Sequence, residues 1–248
     1  MTSFGSLSDD FGVNTYLASK VDLPTGRDTV LHFFDSMRKL YPKMTDFEKR
    51  DSNEYVLEED RDSGSYQWVS IDGRKLCTGS VNPASMDELD TYNEKVLDMA
   101  PFHLGVHSLD TDSLDVVYYF DLLYSGNHDE VVAEALAFDG PFESLMRMDN
   151  TRMLNYQPNM MIALDEGCQL QGRFSVETRT TAFQVRTGTF PELPITVFCT
   201  VRQFWGRQPF KSFAESYHNQ RRLLDELVTD HVIPKVIQPL QRVIAAKS

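Results

Sequence analysis

The chain has 248 residues, 41% hydrophobic, 25% charged and 11% aromatic, with 24 Lys and Arg against 37 Asp and Glu and a formal charge of −13. That length and apolar content suffice for a packed core without disulfides or metals, and they exclude a disordered chain. The excess of acid excludes general nucleic-acid binding and anionic membrane surfaces, both of which need clustered Lys and Arg.

The first organised segment is 11–22, where Phe11, Val13, Thr15, Leu17 and Val21 alternate with Gly12, Asn14, Tyr16 and Ala18 in the period-2 pattern of a half-buried strand. Thr25 with Asp28 approximates a capping box, and Val30, Phe33, Phe34, Met37, Leu40 and Tyr41 recur at helical spacing until Pro42 stops them. A polar stretch follows, weakly strand-like at Tyr55, Val56 and Leu57. Asp72-Gly73 is a strong hairpin signal between strands at 66–71 and 75–81. Ser85 and Glu88 form an S-x-x-E capping box ahead of a helix carrying Leu89, Tyr92, Val96, Leu97 and Met99, which Pro101 is expected to end.

Residues 114–124 make the best strand in the chain, with Leu114, Val116, Tyr118, Phe120, Leu122 and Tyr124 on one face. Asn127 and Glu130 cap a helix through Val131, Val132, Ala135, Leu136 and Phe138, and a further turn or two is expected around Phe142, Leu145 and Met146. Residues 160–164 are expected to pair ahead of two long strands, 169–186 and 195–205. Beyond Pro209, where a helix can start, Phe213, Tyr217, Leu223, Leu224, Leu227, Val228 and Val232 follow at helical spacing. Pro234 should kink or end that helix before a last amphipathic segment through Val236, Ile237, Leu240, Val243 and Ile244.

The order strand, helix, strands, helix therefore occurs twice, which predicts an α+β protein of two βαββα halves, 11–108 and 112–248, with a long C-terminal helix. A βαββα unit leaves one sheet face uncovered. Two units in one chain solve this by packing sheet to sheet or by joining edge to edge into a larger sheet, so a single body is expected. The paired split-βαβ order resembles ferredoxin-like architectures in topology only, and such folds host many unrelated functions. Residues 1–125 carry a net charge of −12 and residues 126–248 a net −1, a dipolar distribution that orients self-association or a basic partner.

No nucleotide cofactor is expected, because GxxxxGK[ST] is absent and no GxGxxG follows a strand. GxSxG is absent as well. His103 and His107 form the only HxxxH spacing. On a strand their rings would stand ~13 Å apart at ~3.3 Å per residue, too far for one ion, so no metal site is expected. Cys77, Cys168 and Cys199 have no C-x-x-C spacing and read as thiols in a reducing setting. Met1 to Asp10 lacks the apolar stretch of a signal peptide, and no run of about 18 apolar residues occurs. The cytoplasm is the expected location. His128, Asp129 and Glu130 read as the first turn of a helix, Asp165 and Glu166 as a turn, Glu58, Glu59, Asp60 and Asp62 as loop charge, and His218, Arg221 and Arg222 as a solvated helix face.

The arginines between 170 and 207 are the most suggestive set. Arg173, Arg179, Arg186, Arg202 and Arg207 occur there without a single lysine, and Glu177 and Glu192 are the only acids. A planar guanidinium suits carboxylate or phosphate, or stacks on an aromatic ring. Cross-strand ion pairs are the plain expectation for them, and an anion-binding face including Trp205, Tyr156 or Tyr118 is the other. The functional expectation is a non-enzymatic protein acting through association, as a homo-oligomer or bound to a protein partner. Its rival is a binder or enzyme for a small anionic ligand in an arginine-lined cleft between the halves.

Overall fold

Alternating sequence becomes strand and 3.6-period sequence becomes helix along most of the chain, in a computed structural model that describes residues 4–24, 26–50, 54–137, 140–205 and 211–247. The strands are β1 (Asp10–Ser19), β2 (Asp46–Lys49), β3 (Tyr55–Glu58), β4 (Tyr66–Asp72), β5 (Lys75–Val81), β6 (Thr111–Tyr124), β7 (Asn159–Ala163), β8 (Leu170–Glu177) and β9 (Leu193–Phe204). The helices are α1 (Arg27–Leu40), α2 (Met86–Leu104), α3 (His128–Leu136), α4 (Glu143–Met146), α5 (Ala182–Thr187), α6 (Phe213–Leu227) and α7 (Gln238–Lys247), with a π-helical segment, Val228–Ile237, joining the last two. Thr25, Phe138, Arg207 and Pro209 fall outside the described residues. Gly26 stands at the N-terminus of α1 without a side-chain cap.

All nine strands form one sheet, in the order β2-β3-β4-β5-β1-β6-β9-β8-β7. The expected edge-to-edge union is therefore made by β1 against β6, with Phe11 opposite Phe120 and Leu17 opposite Leu114. Every pairing is antiparallel. In a split-βαβ unit the helix joins two parallel strands that have an antiparallel third strand between them. Here β5 lies antiparallel between β1 and β4, and β9 between β6 and β8, so the fold is α+β around one antiparallel nine-stranded sheet.

Alternate residues of the central strands face the helices. Val13, Leu17, Leu114, Val116, Tyr118, Phe120, Val197, Cys199 and Val201 are at most 2% exposed, under the buried stripes of α2 and α6. Phe33, Phe34 and Met37 of α1 complete this layer by packing on α2. Phe4 packs its ring against Phe11, Tyr118 and Phe120, with centroids 5.4, 5.7 and 6.2 Å away. No described helix is long and apolar enough to cross a membrane. The three cysteines are free, two of them buried.

Two prolines do not end their helices. α2 runs through Pro101 to Leu104, because the ring sits in the last turn and Gly105, at φ +65°, folds its N–H back onto Ala100 O. Pro234 has no N–H and crowds the carbonyl four residues earlier. The backbone answers by widening to a π-helical stretch, in which Gln238 N–H reaches Ile233 O, and the helical path continues into α7. The expected long strand 169–186 is also two elements. Thr181 and Gln184 form a full capping box that starts α5, so Arg179 lies in a loop and Arg186 on a helix.

Candidate functional site

α2 and α6 pack on one side of the sheet, and the alternate side chains of the strands form its other face. The pairings place them in rows across the strands. One row runs Cys77, Tyr16, Asp115, Arg202, Gln171, and the next runs Gly79, Asn14, Val117, Thr200, Arg173, Met161. A third contains Tyr66, Val81, Gly12, Tyr119, Phe198 and Ser175. Tyr16, Tyr119, Trp68 and Phe198 are half-buried here and give this face a row of rings. Burial, with help from Cys77, pushes the Tyr16 hydroxyl up to about 12, so it stays protonated.

A groove of about 370 Å³ crosses this face, lined by Tyr16, Lys75, Asp115, Arg173, Thr200 and Arg202 among others. Two of the sequence-predicted arginines meet in it. Arg202 is held by its cross-strand neighbour: Nε donates to Asp115 Oδ1 at 2.8 Å and Nη2 to Oδ2 at 2.5 Å. A bidentate carboxylate occupies the donors an incoming anion would use. Arg173 instead donates to Asn159 Oδ1 at 3.3 Å, and neither it nor Lys75 has an acid partner among the described residues.

The other predicted residues lie apart from the groove. Arg179 donates to Thr196 Oγ1 at 3.1 Å, and Thr196 in turn donates to Asp121 Oδ1 at 2.5 Å. Arg186 stacks over the Phe183 ring at 5.4 Å. Trp205 follows the odd residues of β9 to the helix side, where it is 7% exposed with its ring 4.9 Å from Phe213. Tyr118 likewise faces the helices, and Tyr156 is partly buried against the core. His103 ends on α2, its ring 5.1 Å from that of His32, while His107 lies beyond the helix.

A second polar centre lies between α2 and α6, at the junction of the two halves, in a cleft of about 440 Å³ lined by Asp87, Asp90, His218, Arg221 and Asp225. Arg221, read from sequence as part of a solvated face, has a side chain only 7% exposed. Its Nε lies 3.2 Å from Asp90 Oδ1, Nη1 pairs with Asp225 Oδ1, and the guanidinium stands 5.2 Å above the Tyr118 ring. Tyr118 Oη donates to Asp225 Oδ1 at 2.8 Å, and Tyr217 Oη to Asp90 Oδ1 at 2.7 Å. Asn93 Nδ2 donates to Tyr217 Oη at 3.2 Å, and Thr78 Oγ1 to Asn93 Oδ1 at 2.5 Å. Burial alone would lower the Arg221 pKa, but Tyr118, Asp225 and Asp90 hold it above its ordinary value. The Arg221 ion pairs with Asp90 and Asp225 fasten α6 to α2, and the Tyr118 hydroxyl ties α6 to the sheet.

His128 and Asp129 form a third buried polar group. Asp129 Oδ1 accepts from Tyr156 N–H at 2.8 Å and Thr178 Oγ1 at 2.7 Å, tying two loops to the first turn of α3. His128 Nδ1 accepts from Arg179 N–H at 3.3 Å, so the ring proton is on Nε2, which donates to Tyr124 O at 3.1 Å. Burial, its largest influence, lowers the pKa of His128 below 6.5. A neutral native histidine leaves the unfolded chain binding more protons below that value. Stability is thus complete above about 6.5 and is lost as pH falls toward the lower native value. Thermal unfolding of wild type and His128→Gln between pH 7.5 and 5.5 checks this, with the flatter profile expected for the variant.

The chain matches no known protein-family model and none of the curated proteins.

Proposed function

We propose that this chain is a non-enzymatic protein that acts through association, as a homo-oligomer, with residues 11–108 and 112–248 as two like halves of one body. Support for the paired halves comes from the sheet order, which counts outward from β1–β6 as β5, β4, β3 on one side and β9, β8, β7 on the other. The cytoplasm, where three free thiols stay reduced, is the setting this reading takes.

One observation carries the association reading. Of fourteen large apolar side chains exposed among the described residues, eight lie between Phe142 and Phe183, within the half that bears a net charge of only −1. Their concentration in one half supports an interaction surface there, since single exposed apolar groups scattered over a surface need no explanation. Light scattering on the eluting protein is expected to give at least twice the 28.4 kDa chain mass. A monomer whose melting temperature one anion raises by several degrees would overturn this reading.

That outcome would favour the second reading, a small anionic ligand in the groove across the sheet, supported by Lys75 and Arg173 standing there without acid partners. In a screen of phosphate, nucleotides and carboxylates, any such shift should then vanish in Arg173→Gln.

A further inference from the structure

The two edges of the sheet are built differently. β2, the first edge, reads Asp46-Phe47-Glu48-Lys49, and its three charges in four residues discourage another strand from pairing with it. β7, the other edge, reads Asn159-Met160-Met161-Ile162-Ala163, with no charge and every residue exposed. Met160, Met161 and Ile162 are 54%, 60% and 37% exposed.

The β7–β8 register fixes which backbone groups remain free. Val176 N–H bonds Pro158 O at 2.9 Å and Leu164 N–H bonds Leu170 O at 2.8 Å, so even-numbered residues turn their N–H and C=O toward β8. Alternation then points the N–H and C=O groups of Asn159, Met161 and Ala163 outward, away from the sheet. Asn159 and Ala163 are equidistant from Met161, which makes the strand complementary to itself.

We propose that β7 pairs antiparallel with β7 of a second copy about a two-fold axis through Met161, joining two nine-stranded sheets into one. Each Met161 exchanges both backbone bonds with its counterpart, and Asn159 does so with Ala163. The isologous contact closes, as a two-fold interface must. Electrostatics favours this occupant for a chain of charge −13: the seam is neutral, lies in the half of net charge −1, and is the edge farthest from the acidic β2. The proposal rests on the association reading and names its geometry.

The two-fold places residue 161 opposite itself, which gives a charge-swap test. Met161→Lys and Met161→Glu change an exposed side chain, and unchanged circular dichroism verifies their fold. In sedimentation velocity over a range of concentrations, each variant alone should dimerise about fivefold or more weakly than wild type, because like charges face each other across the axis. An equimolar mixture of the two should restore the dimer through a Lys–Glu pair. Met161→Pro, which deletes an outward N–H and no bond to β8, should also weaken it. If wild type and both variants dimerise equally, the association reading stands and the β7 seam is wrong. A dimer kept by the Lys variant and lost by the Glu variant means that residue 161 faces an acidic surface, and overturns the two-fold pairing. A wild type that stays monomeric overturns both.

Discussion

Replacing Arg221 with methionine is expected to cost about 3 kcal/mol and lower the midpoint of thermal unfolding by roughly 6–12 °C. The side chain keeps its volume and loses its charge, so Asp90 and Asp225 are left facing each other beside Tyr118 and Tyr217 with no cation between them. Breaking a buried ion pair from one side typically costs about 3–5 kcal/mol. The lower end applies here because the two carboxylates are 26% and 40% exposed and water partly screens them. The effect should be strongly non-additive. Adding Asp90→Asn and Asp225→Asn to Arg221→Met removes the orphaned charges, so the triple variant should be more stable than the single one. A loss below about 1 kcal/mol in Arg221→Met would mean that the guanidinium contributes no more than an exposed pair does.

Arg221 also shows where sequence reading reaches and where it stops. The spacing of Phe213, Tyr217, Gln220, Leu224 and Val228 marks one face of α6, and Arg221, four residues after Tyr217, falls within that stripe. Periodicity thus held the signal for its burial, but residue type argued for solvent. Its partners could not be read at all, since Asp90 and Tyr118 come from distant segments brought together only by packing. The elements themselves were legible wherever a local rule dominates. The Asp72-Gly73 hairpin, the Ser85 and Asn127 caps and the alternation of β1 and β6 all rest on backbone chemistry within a few residues. Misreadings arose where tertiary packing overrides such a rule, as it does for Pro101 and Pro234, or where a cap lies inside a strand-like run, as with Thr181 and Gln184. Of the arginine set, Arg202 has an acid partner across the sheet in Asp115, which no local pattern singled out, and nothing local showed that Arg179 and Arg186 leave the sheet.

Glycines in the grooved face of the sheet lead to the second large effect. Gly79 of β5 lies directly opposite Trp68 of β4, and a Cβ placed on it would come within 2.1 Å of the indole. Gly12 of β1 has the same relation to Tyr119 of β6, again at 2.1 Å. In both cases a flat ring lies over a strand position with no side chain, so the ring buries itself against backbone on the face opposite α2 and α6. A glycine in a strand interior normally weakens it, and a β-branched residue normally strengthens it. Gly79→Val should reverse that sign. The methyl groups evict the Trp68 ring, and the overpacking costs about 1–3 kcal/mol. Trp205, the other tryptophan, is only 7% exposed on the opposite side of the sheet, so a red shift in emission would report Trp68 entering water. With Trp68→Ala already in place, the same valine has no ring to displace and should be neutral or stabilising. Equal destabilisation in both backgrounds would show that the glycine serves the strand backbone and not the ring above it.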